Sequence, residues 1–198
     1  AGIGGGRGAG ATVTISGGTI GSWDRDTQTA NKNDGAFSSG GAAIGGGAGA
    51  SDDTTVTISN VLIHNAKGQD GGAAIGGGKN SSGAANVNIS SGEVHTSTDY
   101  DHGGAGIGGG EQSKGETKID ISGAAQVYAN GSDGAAIGSG ESSTGAATIN
   151  ISGNAQVSAN GRDGAAIGSG ESSTGAATIN IFENAQVYAD GSNGAGIG

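Results

Sequence analysis

The chain contains no cysteine, no proline and no methionine in its 198 residues. Without cysteine there can be no disulfide framework, no thiol redox chemistry and no thiolate metal site. Basic residues are also scarce, because 8 Lys and Arg stand against 18 Asp and Glu, for a net charge of −10. Phosphate binding depends mainly on Lys and Arg, so the composition excludes nucleic acid as the expected partner. The acidic composition is compatible with cation binding, so that function is not excluded.

Long apolar runs are missing as well. No stretch approaches the length of a membrane span, so membrane insertion is not expected. There is no signal-peptide pattern, and the first residue is Ala rather than Met. We therefore interpret residues 1–198 as a single repeat domain, in the form of a mature product or a fragment of a longer repeat protein.

What the chain has in excess is glycine, with 47 residues, arranged in a recurring block such as Gly134-Ala-Ala-Ile-Gly-Ser-Gly140. The glycines follow no strict triplet, which excludes collagen, and alternating β-branched runs between the blocks argue against disorder. Successive block isoleucines are 41, 31, 32, 30, 30 and 30 residues apart, an interval typical of a stacked array. The block isoleucines are Ile3, Ile44, Ile75, Ile107, Ile137, Ile167 and Ile197.

Each repeat contains three short segments that predict strands. The first is the glycine block, the second an alternating run such as Thr148-Ile-Asn-Ile-Ser152, and the third centres on one aliphatic residue such as Val157. Three strands in about 30 residues indicate an all-β fold, a parallel β-helix (β-solenoid) of about six coils. A propeller is the alternative, but its blades need about 40 residues or more.

Glycine in a strand costs about 0.5–1 kcal/mol relative to alanine, so the block needs a reason. One interpretation is that glycine supplies unusual dihedral angles at a tight corner. The other is that the isoleucine points inward and its small neighbours form a bare outer face for self-association. The members of that predicted face are Ala43, Gly45, Ala74, Gly76, Ala136, Gly138, Ala166 and Gly168.

The motifs Ala105-Gly-Ile-Gly-Gly-Gly110 and Thr12-Val-Thr-Ile-Ser-Gly-Gly18 resemble the Gly-Ile-Gly-Gly-Gly arrays of large secreted bacterial cell-surface proteins, many of them β-helical adhesins or carbohydrate-binding modules. The resemblance covers the whole chain. It implies an extracellular or cell-surface location and a binding or structural role, with a carbohydrate or another cell-surface component as partner. The resemblance carries over no catalytic residues. Homo-association is a separate expectation, which rests on the predicted bare face and on the edge strands at Gly2-Ile-Gly-Gly-Gly6 and Ala195-Gly-Ile-Gly198, where no proline or lysine blocks pairing.

Outward positions of the second segment predict polar rows, one of which begins with Thr12 and Thr55 and another with Thr14 and Thr57. Flat threonine arrays on β-solenoids can bind ice, so an ice-binding (antifreeze) protein is one alternative function. Lys118 and Asp120 interrupt the grid, which favours a solvated face.

Acidic residues recur in the turns before the block, at Asp70, Asp133 and Asp163. Stacked carboxylates could share a structural Ca²⁺, an ion that takes six to eight oxygen ligands. Asn-Gly and Asp-Gly are also ordinary turn formers, and the calcium β-roll spacing is missing. No other cofactor is expected.

The corner before the block carries the residues that break the repeat. We predict that an insertion in the first coil lies near the same corner of the third coil and forms a glycan site, since aromatic rings beside polar groups recognise sugars. A loop tucked against the solenoid is the alternative. The candidate residues are Trp23, Asp24, Arg25, Asp26, His95, Asp99, Tyr100, Asp101 and His102.

Some parallel β-helices are polysaccharide lyases or glycosidases, so catalysis is an alternative. The pairs Asp24 with Asp26 and Asp99 with Asp101 could supply two carboxylates. Each pair lies in a loop, and no row of Arg or Lys would hold an acidic polymer. The sequence therefore predicts a noncatalytic surface module, an adhesin or stalk segment, rather than an enzyme.

Overall fold

The computed structural model describes residues 1–21, 23–24, 29–30, 36–99 and 103–198, with the backbone alone for 23–24, 29–30 and 36–39. Within these ranges every regular element is a strand. In chain order the strands are β1 (Ile3–Gly4), β2 (Thr12–Ser16), β3 (Thr19–Ile20), β4 (Trp23–Asp24), β5 (Thr29–Ala30), β6 (Ala36–Ser39), β7 (Ile44–Gly45), β8 (Thr54–Ser59), β9 (Val61–Gln69), β10 (Ile75–Gly76), β11 (Ala85–Thr98), β12 (Ile107–Gly108), β13 (Thr117–Gly131), β14 (Ile137–Gly138), β15 (Ala147–Ile151), β16 (Gln156–Gly161), β17 (Ile167–Gly168), β18 (Ala177–Ile181) and β19 (Gln186–Gly191).

The strands form stacked coils of a parallel β-solenoid, which confirms the predicted fold. The glycine blocks make one sheet in the order β1-β7-β10-β12-β14-β17, and Ile197 adds a bridge to Ile167. The second and third segments share the other large sheet, because β11 and β13 each run through both segments. All pairs are parallel except β4 with β5, a small antiparallel pair within the first-coil insertion.

The register places each residue beside its counterpart in the next coil. Ile119 pairs with Val87 on one side and with Ile149 on the other, and Ile121 pairs with Ile89 and Ile151. All of these aliphatic side chains are fully buried. The alternating burial of β15 follows the two-residue period of a strand, so the inward and outward assignment of the second segment is confirmed.

The glycine block is where a sequence prediction was wrong. The small residues assigned to a bare outer face lie in the interior: Ala43, Ala74, Ala136 and Ala166 have no exposed surface, and Gly45, Gly76, Gly138 and Gly168 are buried. Side chains alternate between faces only along an extended strand, whereas here the chain bends within the block. Side-by-side association through this face is therefore excluded.

The bend has the same hydrogen bonds in successive coils. The amide of Ala73 donates to the carbonyl oxygen of Gly77 at 3.1 Å, and that of Ala135 donates to Ser139 at 3.0 Å. The isoleucine lies in the middle of the bend, and five of these isoleucines pack into the core with the second and third segments: Ile44, Ile75, Ile107, Ile137 and Ile167. One block glycine, such as Gly108 with a φ of 134°, takes a backbone conformation that other residues rarely adopt. The tight-corner interpretation is the one that the structure supports.

A turn with a left-handed residue follows each bend. The residue five positions after the block isoleucine has a positive φ in six successive coils, from 53° to 81°. Glycine occupies this position in the first two coils, and polar residues occupy it afterwards. The residues are Gly8, Gly49, Asn80, Gln112, Ser142 and Ser172. Glycine and asparagine adopt this conformation most readily, and none of the six residues is β-branched.

Candidate functional site

The outer face of the third segment carries the candidate site. Its alternate residues point to solvent, so rows of outward side chains run along the solenoid, one residue per coil. Two of these rows form the candidate site, and in each coil their members are two residues apart in the sequence. The ring row contains His95, Tyr128, Ser158 and Tyr188, and the amide row contains Lys67, Ser97, Asn130, Asn160 and Asp190, with Asn65 at a local irregularity beside Ser97.

The ring row begins with a stacked pair. The rings of His95 and Tyr128 lie face to face, with centroids 4.6 Å apart and planes inclined by 14°. That separation is close to the spacing of neighbouring strands, about 4.8 Å, as expected for rings on successive coils that stack along the solenoid. Glu93 also contacts the imidazole ring, because its Oε1 lies 2.7 Å from His95 Nε2.

The amide row is joined by hydrogen bonds between coils. Asn160 Nδ2 donates to Asn130 Oδ1 at 3.1 Å, and Ser97 Oγ donates to Asn65 Oδ1 at 3.5 Å. Asn130 Nδ2 donates in turn to the carbonyl oxygen of Thr96 at 3.3 Å. These bonds hold the row in place and leave further donors and acceptors facing outward.

A groove of about 630 Å³ follows the amide row. Lys67 and Asp99 form an ion pair at one side of it, and Arg162 lies at the other side. The groove therefore offers amides, hydroxyls and charges of both signs within one elongated depression. It is lined by Asn65, Lys67, Ser97, Thr98, Asp99, Asn130, Gly131, Ser132, Asn160, Gly161, Arg162 and Ser192.

The glycan residues predicted from the sequence fall into three groups. His95 and Asp99 lie on this face, one in the ring row and one in the groove. Trp23 and Asp24 form β4, and only their backbone is described. Arg25, Asp26, Tyr100, Asp101 and His102 lie outside the described residues. The predicted proximity of the first-coil and third-coil loops stays a prediction.

The carboxylates predicted to share calcium serve the turns. Asp163 accepts hydrogen bonds from Arg162 Nε and from Asn193 Nδ2, both at 2.7 Å, and Asp133 accepts one from Ser132 Oγ at 3.1 Å. The bond from Asn193, together with the charge of Arg162, holds the pKa of Asp163 below its usual value. Asp70 takes a left-handed turn conformation with a φ of 50°. In the part of the chain that the structure describes, no three acidic or histidine side chains gather as a metal site.

The sequence interpretation overlooked a second acidic row. Glu111, Glu141 and Glu171 each follow the block isoleucine by four residues, and Lys79 occupies that position one coil earlier. Lys79 Nζ contacts Glu111 Oε2 at 2.9 Å. Burial raises the pKa of Glu141, and the charges of Glu111, Asp133 and Glu171 raise it further, against a lowering by Lys79. The Gly-Glu pair that recurs after three successive blocks was the signal for this row.

The raised pKa of Glu141 predicts a pH effect on stability. The folded protein binds this proton more tightly than the unfolded chain, so the contribution of Glu141 to the free energy of unfolding falls as the pH rises from 4.5 through the raised pKa. We expect Glu141→Gln to be more stable than the wild type at pH ~7 and to lose this advantage when the pH falls below 4.5, the ordinary pKa of this carboxyl. Urea denaturation at a series of pH values measures it.

The matched control for this prediction is Glu116→Gln, which removes the same charge from an exposed position of the preceding coil. It corrects for the change in net charge. An equal gain at neutral pH in both variants would contradict the role that we assign to burial and to the acidic neighbours of Glu141.

The described residues contain no helix long and apolar enough to cross a bilayer. Comparison with protein-family models, with curated proteins and with solved structures finds no match for this chain. The function is therefore inferred from the geometry of the outer face of the third segment.

Proposed function

We propose that the protein is a noncatalytic extracellular surface module, an adhesin or stalk segment, which binds glycans on the outer face of the third segment. The observation that carries the proposal is the position of the stacked His95 and Tyr128 rings beside the amide row and its groove. An aromatic surface accepts the C–H face of a sugar, and amides two residues away reach its hydroxyls.

The form of the site also favours a chain-like ligand. The rows repeat once per coil, so equivalent donors recur at about 4.8 Å along the solenoid. An elongated groove with a repeated set of hydrogen-bonding groups suits a polymer better than a compact metabolite. The buried aliphatic side chains on the inner side of this segment make the support rigid, as a stalk requires; they are Ile63, Val94, Val127 and Val157.

One feature favours binding over catalysis at this face. Among the described residues that line the groove, Asp99 is the one carboxylate, and it is paired with Lys67. Retaining and inverting glycosidases need two carboxyl groups at a set separation. The cell-surface location rests on the resemblance alone and stays a prediction. Homo-association also stays a prediction, without the bare face as its support.

The ice-binding alternative concerns the second segment, on whose outer face the amides bond to one another. Asn150 Nδ2 donates to Asp120 Oδ1 at 2.6 Å, and Asn180 Nδ2 donates to Asn150 Oδ1 at 2.9 Å. These groups are occupied along the solenoid, which favours a solvated face. A thermal hysteresis measurement on the purified chain tests this alternative directly.

A glycan array with the full chain tests the proposal, with Asn130→Ala as the site variant. We expect Asn130→Ala to weaken glycan binding by about tenfold, equivalent to about 1.4 kcal/mol, because it removes the amide at the centre of the groove. The matched control is Asn86→Ala, on the outer face of the second segment. Equal losses in both variants, or a wild-type chain that retains no glycan, would contradict the proposal.

A further inference from the structure

The ring row is interrupted at one position. His95 and Tyr128 occupy successive coils, Ser158 follows in the next coil, and Tyr188 restores an aromatic ring in the coil after that. The serine side chain is far smaller than a ring, so a space stands between the two tyrosines. This space belongs to a separate groove of about 350 Å³ that both tyrosines line.

The height of this space follows from the spacing between successive coils. Tyr128 and Tyr188 are two coils apart, so their backbone positions are separated by roughly 9.6 Å. Each tyrosine takes half of a carbon–carbon contact distance of about 3.5–4.0 Å, which leaves about 6 Å for a group inserted between two rings that face each other. A flat aromatic ring, about 3.5 Å thick, would touch one tyrosine only. A chair-shaped sugar ring is thicker, because its axial C–H bonds project from both faces, and it fills more of the space.

Polar side chains surround the space between the two tyrosines and determine which ligand would fit there. Gln156 precedes Ser158 by two residues and Asn160 follows it by two, so both point to the same face and lie on either side of the missing ring. Gln186 lines the same groove in the next coil. A ligand that fits therefore has apolar faces toward the tyrosines and polar groups around its edge.

We propose that the space between Tyr128 and Tyr188 binds one hexopyranose ring whose hydroxyls are all equatorial, as in a β-linked glucose-type polymer. Such a ring carries C–H groups on both faces and hydroxyls around its edge, which matches two tyrosine faces flanked by Gln156 and Asn160. Ser158 forms the floor. This inference rests on the proposed glycan-binding function and assigns the sugar class and its position.

The test is calorimetric titration of the full chain with a β-1,4-glucose oligosaccharide and with the β-1,4-mannose oligosaccharide of equal length, which differs by one axial hydroxyl. We expect the mannose probe to bind at least about tenfold more weakly. Ser158→Tyr restores the missing ring, and it should abolish binding of the glucose probe while circular dichroism and melting temperature show an intact fold. Tyr188→Ala should weaken binding by about tenfold.

The matched control is Thr148→Tyr, which places the same side chain on the outer face of the second segment and should leave binding unchanged. If Ser158→Tyr binds as the wild type does while Asn130→Ala does not, the glycan lies in the larger groove, and the inference is wrong but the proposed function stands. Equal affinity for both probes overturns the sugar class. If neither probe binds and the glycan array is also negative, both proposals fail together.

Discussion

Replacement of Gly108 by alanine should unfold or nearly unfold the solenoid, with a loss of more than about 4 kcal/mol. Gly108 has a φ of 134°, which costs an alanine about 1–3 kcal/mol. An added Cβ would also lie on the carbonyl oxygen of Gly138 in the next coil. That oxygen cannot move aside freely, because it accepts a hydrogen bond from the amide of Gly109 at 2.9 Å. Urea denaturation followed by circular dichroism measures the loss.

Substitutions at two other glycines distinguish the backbone strain of Gly108→Ala from its steric overlap with the next coil. Gly49 has a φ of 68° but open space around its Cβ position, so Gly49→Ala should cost about 1–2 kcal/mol from the backbone alone. Gly6 has open space and no positive φ, so Gly6→Ala should be neutral or stabilise by up to about 1 kcal/mol. If Gly108→Ala costs no more than Gly49→Ala, the blocks do not pack against each other as described.

The second large effect is expected in the core. Ile151 is fully buried and pairs with Ile121 and Ile181, so Ile151→Ala should destabilise the protein by about 2–5 kcal/mol. The loss combines the transfer free energy of the removed carbons with the cost of the cavity left behind. The free energy of unfolding from urea denaturation is the measurement.

The control is Thr148→Ala in the same strand, at a position that faces solvent. We expect a change within about 0.5 kcal/mol, because exposed substitutions away from special features have small effects. Similar losses at positions 148 and 151 would mean that the register of the second segment is shifted by one residue.

The sequence alone determined the period, the parallel stacking and the register of the second segment. This was possible because every coil repeats the same pattern. The alternation of apolar and polar residues around Ile149 and Ile151 recurs around Ile119 and Ile121, so each coil supports the same assignment. In a solenoid each coil contacts its own counterpart in the next, so a sequence repeat translates directly into contacts in space.

Only the tertiary structure decided which way the glycine block turns. Ala136 and Gly138 flank an isoleucine as they would in a flat strand, and nothing local distinguishes a strand from an inward bend. The hydrogen bond from Ala135 to Ser139 and the close approach of the next coil decide it. The same holds for the missing ring at Ser158, because a serine in a row of rings has meaning only when the coils above and below are in place.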